Sequence, residues 1–237
     1  MKTTAMKRED VGFFDRNEGW SVIERGLPHW TQAGSLCFVT WRANDSLPNS
    51  VLDRLDREIA EVLRTEGIDR DGDWKTAFAR RSPAQRGRVP WKLFEARDRY
   101  LDQGYGACLL GQSKLSAIVE SSLRKFDEDR YFLTDCVVMP NHAHFIAAFP
   151  EEAAMMKQCT EWKRFTARGI NEQAERSGEF WQIDQFDHLI RSVEQFEHYR
   201  RYIADNPRRA GLQRGEYRHY QKELRSSHVG ESLRDSH

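Results

Sequence analysis

The chain has 237 residues, enough for one large domain or one domain with a sizeable insertion; 39% hydrophobic residues can supply a core while 31% charged residues keep the surface polar. Its formal net charge is +0, so no global field marks a nucleic-acid partner and any basic surface has to be local. Four scattered cysteines, Cys37, Cys108, Cys136 and Cys159, form no CxxC pair, which argues against a zinc ribbon or a disulfide scaffold and fits a reducing cytoplasm.

Taken in chain order, the start MKTTAMKRED lacks the apolar core of a signal peptide, and no apolar run approaches a membrane span, so a cytoplasmic protein is expected. SLCFVTWR (Ser35–Arg42), rich in β-branched and aromatic residues, reads as the first strand. Val51, Leu52, Leu55, Ile59, Val62 and Leu63 then recur at helical spacing, with Ser50 placed to cap that helix. Asp69 to Val89 turns polar and reads as loop, and a short helix is expected around WKLFEARDRYLDQG, ending near Gly104. Leu115, Ile118, Val119, Leu123 and Phe126 form the inner stripe of an amphipathic helix.

YFLTDCVVM and the run after Pro140-Asn141 read as a hairpin of two buried strands. A helix from Ala154 to Arg176, a turn at GEFWQ and a short strand in QFDHLIRS follow. The last helix, SVEQFEHYRRYIADN, is expected to stop at Pro207, since a residue before proline is biased out of the helical region. The order of elements describes an α+β domain with an antiparallel sheet. Its core would span about 35–42 and 112–212, with a helical and loop insertion at 44–111 and a polar tail at 213–237.

Two of these elements carry residues with chemical potential. In VVMPNHAHFIAAF, His142 and His144 stand two apart in a strand, so both imidazoles share one face while Ala143, Phe145 and Ala147 share the other. Two imidazoles side by side make half of a metal site. In the last helix His198, Tyr202 and Asn206 recur at i, i+4 and i+8, while Phe196 and Ile203 form the buried stripe. Tyr202 is therefore expected to turn away from the core, with Arg208 and Arg209 immediately beyond.

PNHAHF resembles the histidine–hydrophobic–histidine element of single-tyrosine HUH transposases. YIADNPRRAGL resembles the signature helix of their REP-associated tyrosine transposase branch, within the IS200-like family. The similarity covers roughly Leu36–Trp41 and Ile118–Leu212, with FWQ and FDHLIR between the two motifs; Ala143 is smaller than the usual bulky middle residue. The resemblance implies a ferredoxin-like antiparallel sheet with an insertion after the first strand. It implies that His142, His144 and Asn206 bind a divalent metal, Mg²⁺ or Mn²⁺, and that Tyr202 is the nucleophile. The implied reaction is cleavage and rejoining of single-stranded or hairpin DNA through a 5′-phosphotyrosine, by a monomer or a homodimer.

The chemistry is coherent on its own terms. A metal on a non-bridging phosphate oxygen withdraws charge and orients the group for in-line attack, and a phosphotyrosine stores the bond energy for rejoining. Local basic character supplies DNA contacts: from residue 200 to 225 there are eight Arg or Lys against three acids, including Arg208 and Arg209. Arg191, Lys163, Arg164 and Trp181 extend the expected DNA surface, because interleaved cations and aromatics suit single strands. The plain alternative is that Trp162, Phe165 and Trp181 are core. Two other functions stay open: a domesticated, non-cutting hairpin binder, and an unrelated metal-dependent hydrolase using His142, His144 and His188.

Overall fold

The computed structural model describes residues 5–24, 28–69 and 83–224. Its elements are β1 (Ser21–Glu24), β2 (Pro28–Thr31), β3 (Cys37–Arg42), α1 (Asn49–Thr65), α2 (Pro83–Leu101), α3 (Ser113–Arg124), β4 (Phe132–Val138), β5 (His142–Ala148), α4 (Ala154–Gln173), β6 (Phe186–Leu189), α5 (Val193–Arg209) and β7 (Arg218–Gln221). They fall into two units, Asp45–Cys108 and the remainder of the chain. No helix among the described residues is long and apolar enough to cross a membrane.

The larger unit is built on a five-stranded sheet of order β6-β3-β5-β4-β7, antiparallel at every pairing, which makes the fold α+β as the element order implied. Register fixes which side chains share a face. Opposite Val39 and Trp41 of β3 lie Phe145 and Ala143 of β5, and Cys136 and Val138 of β4 continue this row. These side chains pack with Leu115, Val119 and Leu123 of α3 and Met155, Cys159 and Trp162 of α4 into one apolar core. Each large side chain fully buried there contributes about 1.5–3 kcal/mol. Burial also pushes the Cys159 thiol up to about 12 and the Cys37 and Cys136 thiols upward, so all three sit in the core as protonated, small apolar residues.

The other face is different in kind. Phe38, Thr40 and Arg42 of β3 stand opposite Ile146, His144 and His142 of β5, and α5 packs over β5 and β4 on this side. This face mixes buried aromatic and aliphatic side chains with buried polar ones.

Several expectations need correction. Ser50 does not cap α1: the helix begins at Asn49 after Pro48, whose extended backbone ends the preceding segment without any side-chain cap bond. Residues 83–89, expected as loop, are the first turns of α2, with Pro83 at the opening position where its missing N–H is not needed. Residues 70–82 of the expected loop lie outside the described residues. Strands β1 and β2 form a two-stranded ribbon that hydrophobic patterning did not reveal. In the polar tail, β7 pairs with β4 as an edge strand, while 225–237 lie outside the described residues.

Helix α5 does not stop at Pro207 but runs through it to Arg209. The proline only forgoes one donor, and the end is set by the next turn instead. There Leu212 N–H donates to Pro207 O at 2.9 Å and Gly211 N–H to Arg208 O at 3.1 Å, a Schellman closure with Gly211 at φ +70.

The smaller unit packs α1 against α2 through Leu47, Val51, Leu55, Ala96 and Leu101. Glu66 accepts from Arg88 at 2.8 Å and Lys92 at 2.7 Å, and these bonds draw its carboxyl down to about 2. At Gly106 (φ +85) a Cβ would meet the Asp45 carbonyl oxygen at 2.7 Å, so this turn admits only glycine.

Candidate active site

The histidine pair sits on the middle strand of the sheet, entered through a tight hairpin in which Met139 N–H donates to His142 O at 2.8 Å. Both imidazoles are buried, with ring centroids 4.7 Å apart, and they bring ring nitrogens within 4.8 Å of each other. Each ring is held at Nδ1 by a polar neighbour: His142 with Asn141 Oδ1 at 2.7 Å, His144 with Thr40 Oγ1 at 2.8 Å. A hydrogen bond at Nδ1 fixes the ring and leaves Nε2 as the nitrogen that could bind a metal. His144 is further clamped by Phe38, stacked at 5.5 Å and 20°. Neither Thr40 nor Asn141 was singled out from sequence; the signal was a lone threonine among apolar residues in β3, on the same alternation as the histidines.

Tyr202 arrives from α5. Its ring centroid lies 5.6 Å from that of His144 and 6.0 Å from Phe38, edge-on to both. The tyrosine was expected to turn away from the core and be exposed. It is 8% exposed and faces inward, because the buried stripe of α5 is wider than Phe196 and Ile203 and includes Tyr199, Tyr202 and Asn206. Two tyrosines thus reach the sheet. Tyr199 stacks on Phe38 at 4.4 Å, and burial drives its phenol far above the ordinary value, which suits a structural role. His198, the third residue of the expected face, points to solvent.

Asn206, one turn beyond Tyr202, is 0% exposed, and neither Oδ1 nor Nδ2 has a hydrogen-bond partner among the described residues. A buried amide left unsatisfied costs about 1–3 kcal/mol, so its retention calls for a ligand. Two imidazole nitrogens and an amide oxygen fit a divalent metal with remaining positions open to water and phosphate. Arg209 lies over the Tyr202 ring, 4.8 Å from its centroid, and sets a permanent positive charge beside the phenol. Arg208 points outward, 3.5 Å from the Asp205 carboxylate.

The other expected DNA residues divide. Arg191, at the end of β6, donates to His188 Nε2 at 2.7 Å and to Leu189 O at 3.2 Å. His188 shares the face of the histidine pair, and burial, and then the charge of Arg191, lower it to about 3. It is a neutral acceptor at Nε2 from Arg191 and Gln195.

Lys163 and Trp181 do not belong to the site. Lys163 donates to the carbonyls of Gln182, Ile183 and Asp184 at 3.1–3.2 Å, and burial pulls it down to about 8. Trp181 is 4% exposed, donates to Thr166 Oγ1 at 2.8 Å and packs edge-on to Trp41. Trp162 is likewise core, donating to Ser122 O at 3.0 Å. Arg164 and Phe165 are exposed, but on α4, which packs across the sheet from the histidines.

No family model and no curated protein matches the chain. Among solved structures it is similar to a REP-associated tyrosine transposase bound to a REP hairpin, at 15% identity and a TM-score of 0.42, over 79% of this chain and 74% of that one.

Proposed function

We propose that this protein cleaves and rejoins single-stranded DNA through a covalent tyrosyl intermediate, with hairpin or imperfectly palindromic DNA as its substrate. The observation that carries the reading is the meeting of Tyr202 with His144 at 5.6 Å, one helical turn from the unsatisfied amide of Asn206. These are the residues that the two sequence motifs would supply, brought together from a strand and a helix sixty residues apart in the chain.

The Tyr202 oxygen would attack phosphorus, forming a P–O bond to the phenol while the bond to the deoxyribose 3′-oxygen breaks. The phenolic proton leaves for solvent and the departing oxygen takes one up as a 3′-hydroxyl, so the 5′ end stays on the protein as a phosphotyrosine. A divalent metal held by His142, His144 and Asn206 would offset the charge on the non-bridging oxygens and hold the phosphate in line. Thr40 and Asn141 keep the imidazoles turned toward that position, and Phe38 excludes water from behind His144. Arg209 supports the anionic group beside Tyr202. Reversal of the same step by an incoming 3′-hydroxyl rejoins strands without a nucleotide cofactor.

Incubation with single-stranded DNA in Mg²⁺ or Mn²⁺, followed by denaturing electrophoresis, tests this. The wild type should give an adduct on single strands but not on intact duplex, and Tyr202→Phe should lose it while still binding DNA. Tight hairpin binding with no adduct in either metal would make the protein a non-cutting binder. Cleavage by Tyr202→Phe at the wild-type rate would make water the nucleophile.

A further inference from the structure

The β1–β2 ribbon is built inside out. Its inward row carries His29 and Thr31, 1% and 2% exposed, with His29 bonded to Asp184 Oδ1 at 2.9 Å and to Asp187. Its outward row carries Trp20, Val22 and Trp30, at 41%, 38% and 39% exposure, and the two indoles are stacked with centroids 4.8 Å apart and planes within 10°. Polar residues inside and a contiguous aromatic row outside reverse the usual partition, and such a patch marks a surface that meets something.

Charge and continuity indicate what. Arg16 and Arg191 are both exposed, and Arg191 is near enough to feel the charge of Arg16. Neither makes an ion pair among the described residues. The nearby carboxylates of Asp15 and Glu152 are occupied, by Asn17 N–H at 2.9 Å and by the Ser21 hydroxyl; Glu18 is exposed. From the indoles, side-chain contacts lead to Tyr199, which lies three residues before Tyr202 on α5. Trp30 meets Phe14 edge-on at 6.3 Å, Arg191 lies 5.5 Å above the Phe14 ring, and His188, bonded to Arg191, sits 5.8 Å from Tyr199.

We propose that the Trp20–Trp30 stack is a platform for unpaired bases of the DNA strand flanking the cleavage site, with Arg16 and Arg191 holding its phosphates. Every base offers a π-face, so an indole platform accepts a single strand whatever its sequence, whereas a paired base keeps its faces within the duplex. Trp20 offers its outer face and Trp30 supports it from behind. The inference rests on the reading of the protein as a single-strand nuclease but concerns a surface apart from Tyr202.

Trp20→Ala in the full-length protein is the test, with fluorescence anisotropy on a hairpin bearing a single-stranded flank, the same hairpin blunt-ended, and a short oligothymidylate. Loss of one stacked base should weaken the flanked hairpin and the oligothymidylate by roughly 5- to 100-fold and leave the blunt hairpin unchanged. Oligothymidylate should quench wild-type tryptophan fluorescence, and Trp20→Phe should recover part of the lost affinity at an unchanged melting temperature. Equal affinities of Trp20→Ala and wild type for the flanked hairpin would overturn the platform, even if Tyr202 forms its adduct. A concentration-dependent dimer that Trp20→Ala abolishes, with DNA binding unaltered, would overturn it in favour of self-association. A platform that passes while no adduct ever forms would instead count against the nuclease reading alone.

Discussion

Removing Arg200 should cost about 3–5 kcal/mol, far more than a surface ion pair is worth. Its partner Asp135 is 0% exposed on β4, and its Oδ1 accepts from Arg200 Nε at 3.1 Å and from Gln221 Nε2 at 2.8 Å. Oδ2 is buried with no hydrogen-bond partner among the described residues, so the carboxylate has no reserve of donors. Arg200 also donates to Lys222 O at 3.0 Å, joining α5 to the chain just beyond β7. Arg200→Ala would leave an uncompensated buried charge facing a single neutral amide. At about 2–4 °C per kcal/mol for a chain of this size, the melting temperature should fall by roughly 6–20 °C. Urea unfolding followed by circular dichroism measures the loss directly. Asp135→Asn in the Arg200→Ala background should restore part of it, because the stranded charge is then gone. A loss below about 1 kcal/mol, or no recovery in the double variant, would mean the pair behaves as a solvated one and the burial argument is wrong.

Asn206→Leu should raise the melting temperature, by removing an amide that is buried without partners at a cost of about 1–3 kcal/mol, while weakening Mn²⁺ binding. A lower melting temperature with unchanged Mn²⁺ titration would remove Asn206 from the ligand set. Burial draws the His29 pKa down, but the bonds and charges of Asp187 and Asp184 outweigh it, and the net shift is upward from 6.5. His29 therefore stabilises the fold fully below pH 6.5, and this is lost as pH rises through the folded value, so His29→Gln should flatten stability against pH above 6.5. An identical slope in that variant would assign the dependence to other groups. The double substitution Arg208→Ala with Arg209→Ala should lower the salt slope of single-strand binding by up to about 0.7 per lost contact, whereas Lys163→Met should destabilise the 182–184 segment and leave the slope alone. Equal loss of slope in both would bring α4 into the DNA path.

The parts of the site legible in sequence are those set by local periodicity. Two histidines at strand spacing must share a face, and a tyrosine and an asparagine at i, i+4 must share a helix side. What periodicity could not supply was the width of the buried stripe on α5, which depends on how closely the helix sits on the sheet, and so Tyr202 was expected to be exposed. Aromatic and basic residues interleaved on one segment looked alike whether they faced DNA or core. Only the register of the sheet separates Trp181 and Lys163 from the histidines. Strand β7 was hidden for another reason: RHYQ has no apolar alternation, and its strand character comes from pairing with a partner eighty residues away. Helix α2 carries Gly87 and Pro90, which lower its local propensity, so its first turns read as loop.

The sheet with two unlike faces has a consequence for how this protein can change over time. On β5 the residues at 143, 145 and 147 hold the apolar core, while those at 142 and 144 are the paired histidines of the opposite face. A single-base change at one of the alternate codons, or at the codon for Tyr202, could silence the proposed reaction while the apolar core of the other face is inherited intact. Loss of the proposed activity is thus one short step away. A lineage could then keep the proposed DNA surface for another use.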